Sequence, residues 1–279
     1  MSDRGGRFDD EATTGALTTA VVPLPGGTPW LLLPGWQQSG AHWTPVARWL
    51  TASRITLLAA DLAVAAAACA APRGSLARTE ELVDRLLAEP VSAKAAVVVG
   101  HSAGAPLAVL MAAALPGVRG VVVVEPVASH FGVTEPRVRV PGPAGVTSGP
   151  RSLRDQYPMA AETTLRSIDA AARRLPHGEP GSPGRTPPDA DAERAARAGR
   201  ALATTRVPVL VLRGQASALF TAEDARTLAA TAPSGSCVTL PETGHSPHID
   251  QPRTTAAQLT AFADELTDRF PTRAGASRE

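Results

Sequence analysis

The sequence predicts an α/β domain in which a mostly parallel sheet is buried between helices, and three observations carry that prediction. Short, wholly apolar runs occur at residues 54–59, 95–99, 120–124, 207–212 and 237–240, each too brief for an ordinary helix and most of them rich in valine or leucine. Stretches with helical apolar spacing lie between them, at 44–51, 75–88, 105–115, 222–230 and 253–270. The strand runs are continuously apolar rather than alternating, which is what a strand covered on both faces requires. With 279 residues, 44% of them hydrophobic and 19% charged, the chain has enough apolar material for one large core.

Taken in order, residues 1–15 read as a disordered tail, polar and glycine-bearing without a period that would bury a face, and 271–279 read the same way. Residues 17–24 and 30–33 look like two strands joined at the turn Pro25-Gly26-Gly27-Thr28, so a hairpin is expected to start the domain. Ser75 or Thr79 could cap the helix at 75–88. The core is expected to span 16–125 and 206–270. Residues 126–205, far longer than a crossover needs, break it as an insertion. That insertion has a Pro/Gly-rich lead-in at 136–150, a helical segment at 152–175, the run HGEPGSPGRTPP at 177–188 and a short helix at 189–202. It reads as a lid over one end of the sheet.

Charge and cysteine content exclude several classes of function. Lys and Arg number 27 against 26 Asp and Glu, for a formal charge of +1, so no global field draws nucleic acid or an anionic membrane. A small, largely neutral ligand fits better. Cys69 and Cys237 lie far apart and form no CxxC, so both are expected as small buried residues rather than as a disulfide or metal site. The six histidines form no HExxH or other ligand cluster, so no metal is expected. The longest apolar stretch, 62–71, is too short to cross a bilayer and no signal-peptide core stands at the N-terminus, so a cytoplasmic protein is expected. Oligomeric state is left open.

The chemistry begins at AAVVVGHSAG, residues 95–104, where a buried-strand run leads into Gly100-His101-Ser102-Ala103-Gly104 and a helical pattern follows. The five letters GxSxG are weak alone; the strand before and the helix after give them weight. A serine on so sharp a turn has its hydroxyl pushed out of the sheet, and small residues two before and two after it let neighbouring elements approach. The helix N-terminus aims at the same point, so the Ala103 amide could stabilise a developing oxyanion.

On these residues the chain resembles the α/β-hydrolase fold superfamily, over about residues 17–270. The resemblance implies an eight-stranded, mostly parallel sheet flanked by helices, with a helical lid inserted after the sixth strand. It makes Ser102 the nucleophile. LLLPGW, residues 31–36, stands where the family has its oxyanion loop, which makes the Trp36 amide the second donor beside Ala103, although Pro34-Gly35 replaces the family's more frequent His-Gly. PETGHSPHIDQP, residues 241–252, is similar to the family's loop after the last strand and makes His245 the general base, in the chain order Ser then His. No metal or organic cofactor is implied.

The acid is where the pattern departs. The family usually places it three residues after a glycine following the seventh strand, and in VLVLRGQASALF that count runs from Gly214 to Ser217, which cannot carry a negative charge. Glu125, at the end of the 120–124 run, is the favoured substitute because some branches take the acid from the sixth strand; Asp224, beside Glu223 at a helix start, is the alternative. Of the aromatics, Trp36 and Trp43, with Gln37 and His101, are expected to line a pocket for a bulky apolar substrate, while Trp49 is expected to pack in the core.

The expected activity is therefore that of a serine hydrolase acting on an ester, thioester or lactone. Two alternatives stay open. One is a cofactor-independent oxygenase, cyclase or lyase using a His245–Glu125 pair for proton abstraction, in partial similarity to the cofactor-free 3-hydroxy-4-quinolone dioxygenases. The other is a non-catalytic ligand receptor on the same scaffold.

Overall fold

Seven strands form one sheet in the computed structural model, which describes residues 18–22, 28–35, 38–50, 55–60, 62–71, 76–132, 152–172 and 188–270. They are β1 (Thr18–Val22), β2 (Thr28–Leu33), β3 (Ile55–Ala60), β4 (Val97–His101), β5 (Gly120–Val124), β6 (Val209–Gly214) and β7 (Gly235–Leu240). Their spatial order is β1-β3-β2-β4-β5-β6-β7. Every strand read from apolar runs is present within a few residues of its expected bounds, whereas the eighth strand implied by resemblance is absent among the described residues. The segment expected as a lid after a sixth strand accordingly follows β5.

The expected hairpin is corrected. β2 pairs in parallel with β3 on one side and β4 on the other, and β1 pairs antiparallel with β3. Trp30 to Leu33 are buried on both faces, so β2 needs a partner on each edge, and β3, equally buried, comes between it and β1. The remaining neighbours are all parallel.

Side chains alternate between two cores, as the pleat demands. Leu31, Leu33, Val98, Val121, Val123, Val209 and Val211 face one cluster, and Trp30, Leu32, Val97, Val99, Val122, Val124, Leu210 and Leu212 face the other. Helices cover both faces. The chain forms α1 (Thr44–Ala47), α2 (Leu62–Ala67), α3 (Leu76–Leu87), α4 (Ala105–Ala114), α5 (Leu153–Gln156), α6 (Glu162–Ala172), α7 (Pro188–Thr204), α8 (Ala222–Thr231), α9 (Pro247–Asp250) and α10 (Pro252–Arg269). Leu86, Met111 and Leu228 of α3, α4 and α8 pack on the first face; Val46 of α1 and Leu259 and Phe262 of α10 pack on the second.

The segment expected as one helix at 152–175 divides into α5 and α6, since Pro158 disfavours helical backbone at Tyr157. A small third cluster of Ala41, Tyr157, Ala160, Leu165, Ile168 and Ile249 seats α6 against the turn at Gly40–Trp43. Helix α7 behaves differently, because its Ala198 and Leu202 belong to the first sheet core. The tails, the turn at 25–27 and most of the Pro/Gly-rich insertion sequence lie outside the described residues.

Two burial expectations are overturned. Trp49 is 53% exposed, because α1 ends at Ala47 and the following turn carries its ring outward, beneath the Arg253 guanidinium at 5.5 Å. Cys237 is exposed on the edge strand β7, while Cys69 is buried as expected.

Candidate active site

The serine is presented by the junction of β4 and α4. Ser102 has φ +47° and opens a single 3-10 turn, Ser102–Gly104, that runs directly into α4. That left-handed backbone costs an L-residue about 1 kcal/mol. The flanking glycines are demanded by crowding: a Cβ on Gly100 would lie 2.5 Å from the Gly104 carbonyl oxygen, and one on Gly104 would collide with that of Leu33. Ser102 is half-buried, and Ala103 beside it is exposed at the start of the turn.

His245 arrives from the loop after β7. Its Nε2 lies 3.0 Å from Ser102 Oγ and its Nδ1 lies 3.1 Å from Glu125 Oε2. With Nδ1–H donating to the carboxylate, Nε2 is left as the acceptor facing the hydroxyl. The loop is braced on both sides of the ring, since the Gly244 amide donates to Asp250 Oδ2 at 2.8 Å and His101 Nε2 donates to the His245 carbonyl at 2.8 Å. Burial raises the Asp250 carboxyl above its ordinary pKa.

Glu125 follows the last residue of β5, with φ +45°, and is wholly buried. Its Oε1 accepts the Gly214 amide at 2.5 Å, and its Oε2 accepts the Ser217 hydroxyl at 2.5 Å together with His245 Nδ1–H. Asp224, the alternative acid, instead caps α8: Thr221 Oγ1 accepts the Asp224 amide at 3.1 Å while Asp224 Oδ2 accepts the Thr221 amide at 3.0 Å. Asp224→Ala is expected to lower unfolding free energy by about 1 kcal/mol, measured by urea titration, and to leave activity within about twofold of the parent.

Around His245 stands a wall of neutral histidines. Burial lowers the His101 pKa to about 3, helped by the charge of neighbouring His245, and burial lowers His42 to about 4. His248 is pushed well below its ordinary value, first by burial and then by the neighbouring rings. It stacks on Trp43 at 4.4 Å between centroids and meets His101 edge-on at 4.6 Å. These three side chains take up protons more readily unfolded than folded. Stability is therefore full above about pH 6.5 and falls as pH drops from there toward about 4. Urea midpoints across that window should show the fall, and His248→Phe should flatten it.

Sequence reasoning named Ser102, His245 and Glu125, and the structure brings these three together. Trp36 and Gln37 lie outside the described residues. His101 is buried against His245, and Trp43 is buried in the second core, reaching the site through His248. Missed were Gly214 and Ser217 on the carboxylate, Asp250 on the loop, and Gln38, whose Oε1 lies 2.8 Å from His101 Nδ1 and whose Nε2 donates to the Tyr157 hydroxyl at 3.1 Å. For Ser217 the count from Gly214 was a usable signal. Among the described residues no cluster of three or more metal-ligating side chains occurs, and no helix is long and apolar enough to cross a membrane.

A sequence model described as the alpha/beta hydrolase family matches residues 30–258. No curated protein matches the chain in sequence. Solved structures do resemble it. A thioesterase domain from the curacin biosynthetic pathway shares 19% identity over 88% of this chain and 93% of its own, with a TM-score of 0.59. An esterase of M. tuberculosis shares 21% over 90% and 93%, with a TM-score of 0.60. E-2-(acetamidomethylene)succinate hydrolase shares 21% over 85% and 92%, with a TM-score of 0.53. At such identities the likeness is one of fold.

Proposed function

The chain belongs to the alpha/beta hydrolase family, and we propose that within it this protein is a serine hydrolase of the esterase or thioesterase kind, cleaving or transferring the acyl group of a bulky apolar ester, thioester or lactone. The observation that supports this reading most directly is the unbroken run of contacts from Ser102 Oγ to His245 Nε2 at 3.0 Å and from His245 Nδ1 to Glu125 Oε2 at 3.1 Å. In this scheme Ser102 attacks the acyl carbonyl as its proton passes to His245 Nε2, and the buried Glu125 carboxylate steadies the resulting imidazolium. The Ala103 amide, with that of Trp36, holds the oxyanion, at roughly 3 to 4 kcal/mol per donor. The proton on Nε2 then goes to the departing alkoxide or thiolate. Water repeats the sequence on the acyl-enzyme, or another acceptor does so in a transfer. The scheme calls on no metal or organic cofactor.

An apolar substrate is supported by the neutral His101 ring 5.1 Å from that of His245 and by the apolar cluster under α6, whose Tyr157 meets His42 edge-on at 5.8 Å. The lid assignment for 126–205 is part of the same proposal, and Tyr157, between α5 and α6, meets the site's rim where its hydroxyl accepts from Gln38 Nε2 at 3.1 Å. A fluorophosphonate probe, followed by peptide mass spectrometry, tests the reading: one phosphonyl adduct on Ser102 is expected. An adduct on a different serine, or none in a protein inert toward an ester panel, would overturn it.

A second reading rests on the acid's origin at the end of β5, which the sequence shares in part with cofactor-free dioxygenases: His245 and Glu125 abstract a substrate proton and Ser102 only donates a hydrogen bond. Turnover that persists in Ser102→Ala would select it.

A further inference from the structure

Glu125 reaches His245 on a long side chain, and the residues that aim it come from another strand. Its terminal carboxylate torsion is soft, so a glutamate in this role needs both oxygens held. Gly214 holds Oε1 through its amide and Ser217 holds Oε2 through its hydroxyl. The Ser217 hydroxyl is itself oriented, because it accepts the Leu219 amide at 3.3 Å and so turns its own proton toward the carboxylate.

The loop carrying these donors is tied down at every step. Gln215 N–H donates to the Leu240 carbonyl at 2.9 Å, Ala216 N–H to that of Thr243 at 2.8 Å, and Ser217 N–H to that of Gly214 at 3.1 Å. The buried Arg213 closes the far side, its Nε donating to the Phe220 carbonyl at 2.8 Å and its Nη2 to that of Gln215 at 3.2 Å. Leu240 and Thr243 lie on the chain segment that leads into His245. One short loop thus registers the carboxylate and the imidazole against each other.

We propose that Ser217 is a positioning residue: its hydroxyl locks the Glu125 carboxylate in the rotation that meets His245 Nδ1, which makes the loop after β6 a working part of the site although its acid comes from β5. This rests on the roles given above to Ser102, His245 and Glu125.

The test compares Ser217→Ala with Ser217→Thr, which keeps the hydroxyl. With p-nitrophenyl butyrate as probe, Ser217→Ala should lower kcat about tenfold or more, the effect of one lost hydrogen bond to a charged group, and leave KM within about twofold. Ser217→Thr should stay within about threefold of the parent. Independently of catalysis, the low-field proton resonance of His245 Nδ1–H in the free protein should broaden or vanish in Ser217→Ala and persist in Ser217→Thr.

If the parent fails to label with fluorophosphonate yet the resonance behaves as stated, the hydrolase reading fails and the positioning role stands. A resonance unchanged in Ser217→Ala, or a Ser217→Thr protein that loses it, overturns the positioning role. The threonine arm also decides the matter should the alanine variant not fold, since a hydroxyl-bearing variant that folds without the resonance contradicts the proposal.

Discussion

Ser102→Ala is expected to lower ester turnover by about 10⁵-fold or more and to abolish fluorophosphonate labelling, with secondary structure and urea midpoint close to the parent. The size follows from what is lost. The hydroxyl 3.0 Å from His245 Nε2 is the group placed to become the attacking oxygen, and alanine leaves the imidazole with no proton to take. The small residual rate would come from the oxyanion donors and from substrate binding alone. Stability should barely move, because alanine tolerates φ +47° about as poorly as serine does and the side chain is half-buried. Steady-state kinetics alongside intact-protein mass spectrometry checks both parts, and turnover within tenfold of the parent would contradict the nucleophilic role.

Glu125→Gln should cost about 10⁴-fold in kcat while conserving shape. The carboxylate is wholly buried and receives three donors, from Gly214, Ser217 and His245. An amide has one acceptor oxygen and a donating nitrogen. If the nitrogen faces His245, it drives Nδ1 to the acceptor form and puts the proton on Nε2, where it can no longer accept from Ser102. If the oxygen faces His245, the nitrogen confronts the Gly214 amide, and the buried imidazolium has lost its counter-charge either way. Glu125→Gln should therefore lose kcat with little change in KM, in contrast to Asp224→Ala. Near-parental kcat in the Glu125→Gln enzyme would show that the ring needs no anion behind it.

The parts of the fold legible in sequence were those governed by local composition. Continuous valine and leucine runs mark strands covered on both faces, and all seven observed strands were readable from local composition, although β7, read as a buried strand, is a mostly exposed edge. Pairing was not legible, because whether β1 meets β2 or β3 is decided by which strands need two neighbours, a non-local condition. Trp49 was misread for a related reason: helical spacing from Val46 and Leu50 continues on paper past Ala47, where the helix stops.

At the site, Ser102 and His245 carry signals in their immediate neighbours, and Glu125 emerged by asking which carboxylate could stand in for the missing one. Gly214 and Ser217, 89 and 92 positions away along the chain, offered the count from one to the other but no mark of a hydrogen bond to Glu125. The serine that read as a deficiency is the donor that orients the replacement.

Because Ala198 and Leu202 of α7 are buried in the first sheet core, the segment between β5 and β6 is not a detachable module. An engineer who exchanged residues 126–205 wholesale, hoping to graft a new specificity, would strip a covering layer from the sheet and unsettle the strand that delivers Gly214. Swaps confined to α5 and α6, whose buried residues form the separate third cluster, leave that layer in place, so altered selectivity there need not come at the expense of the scaffold.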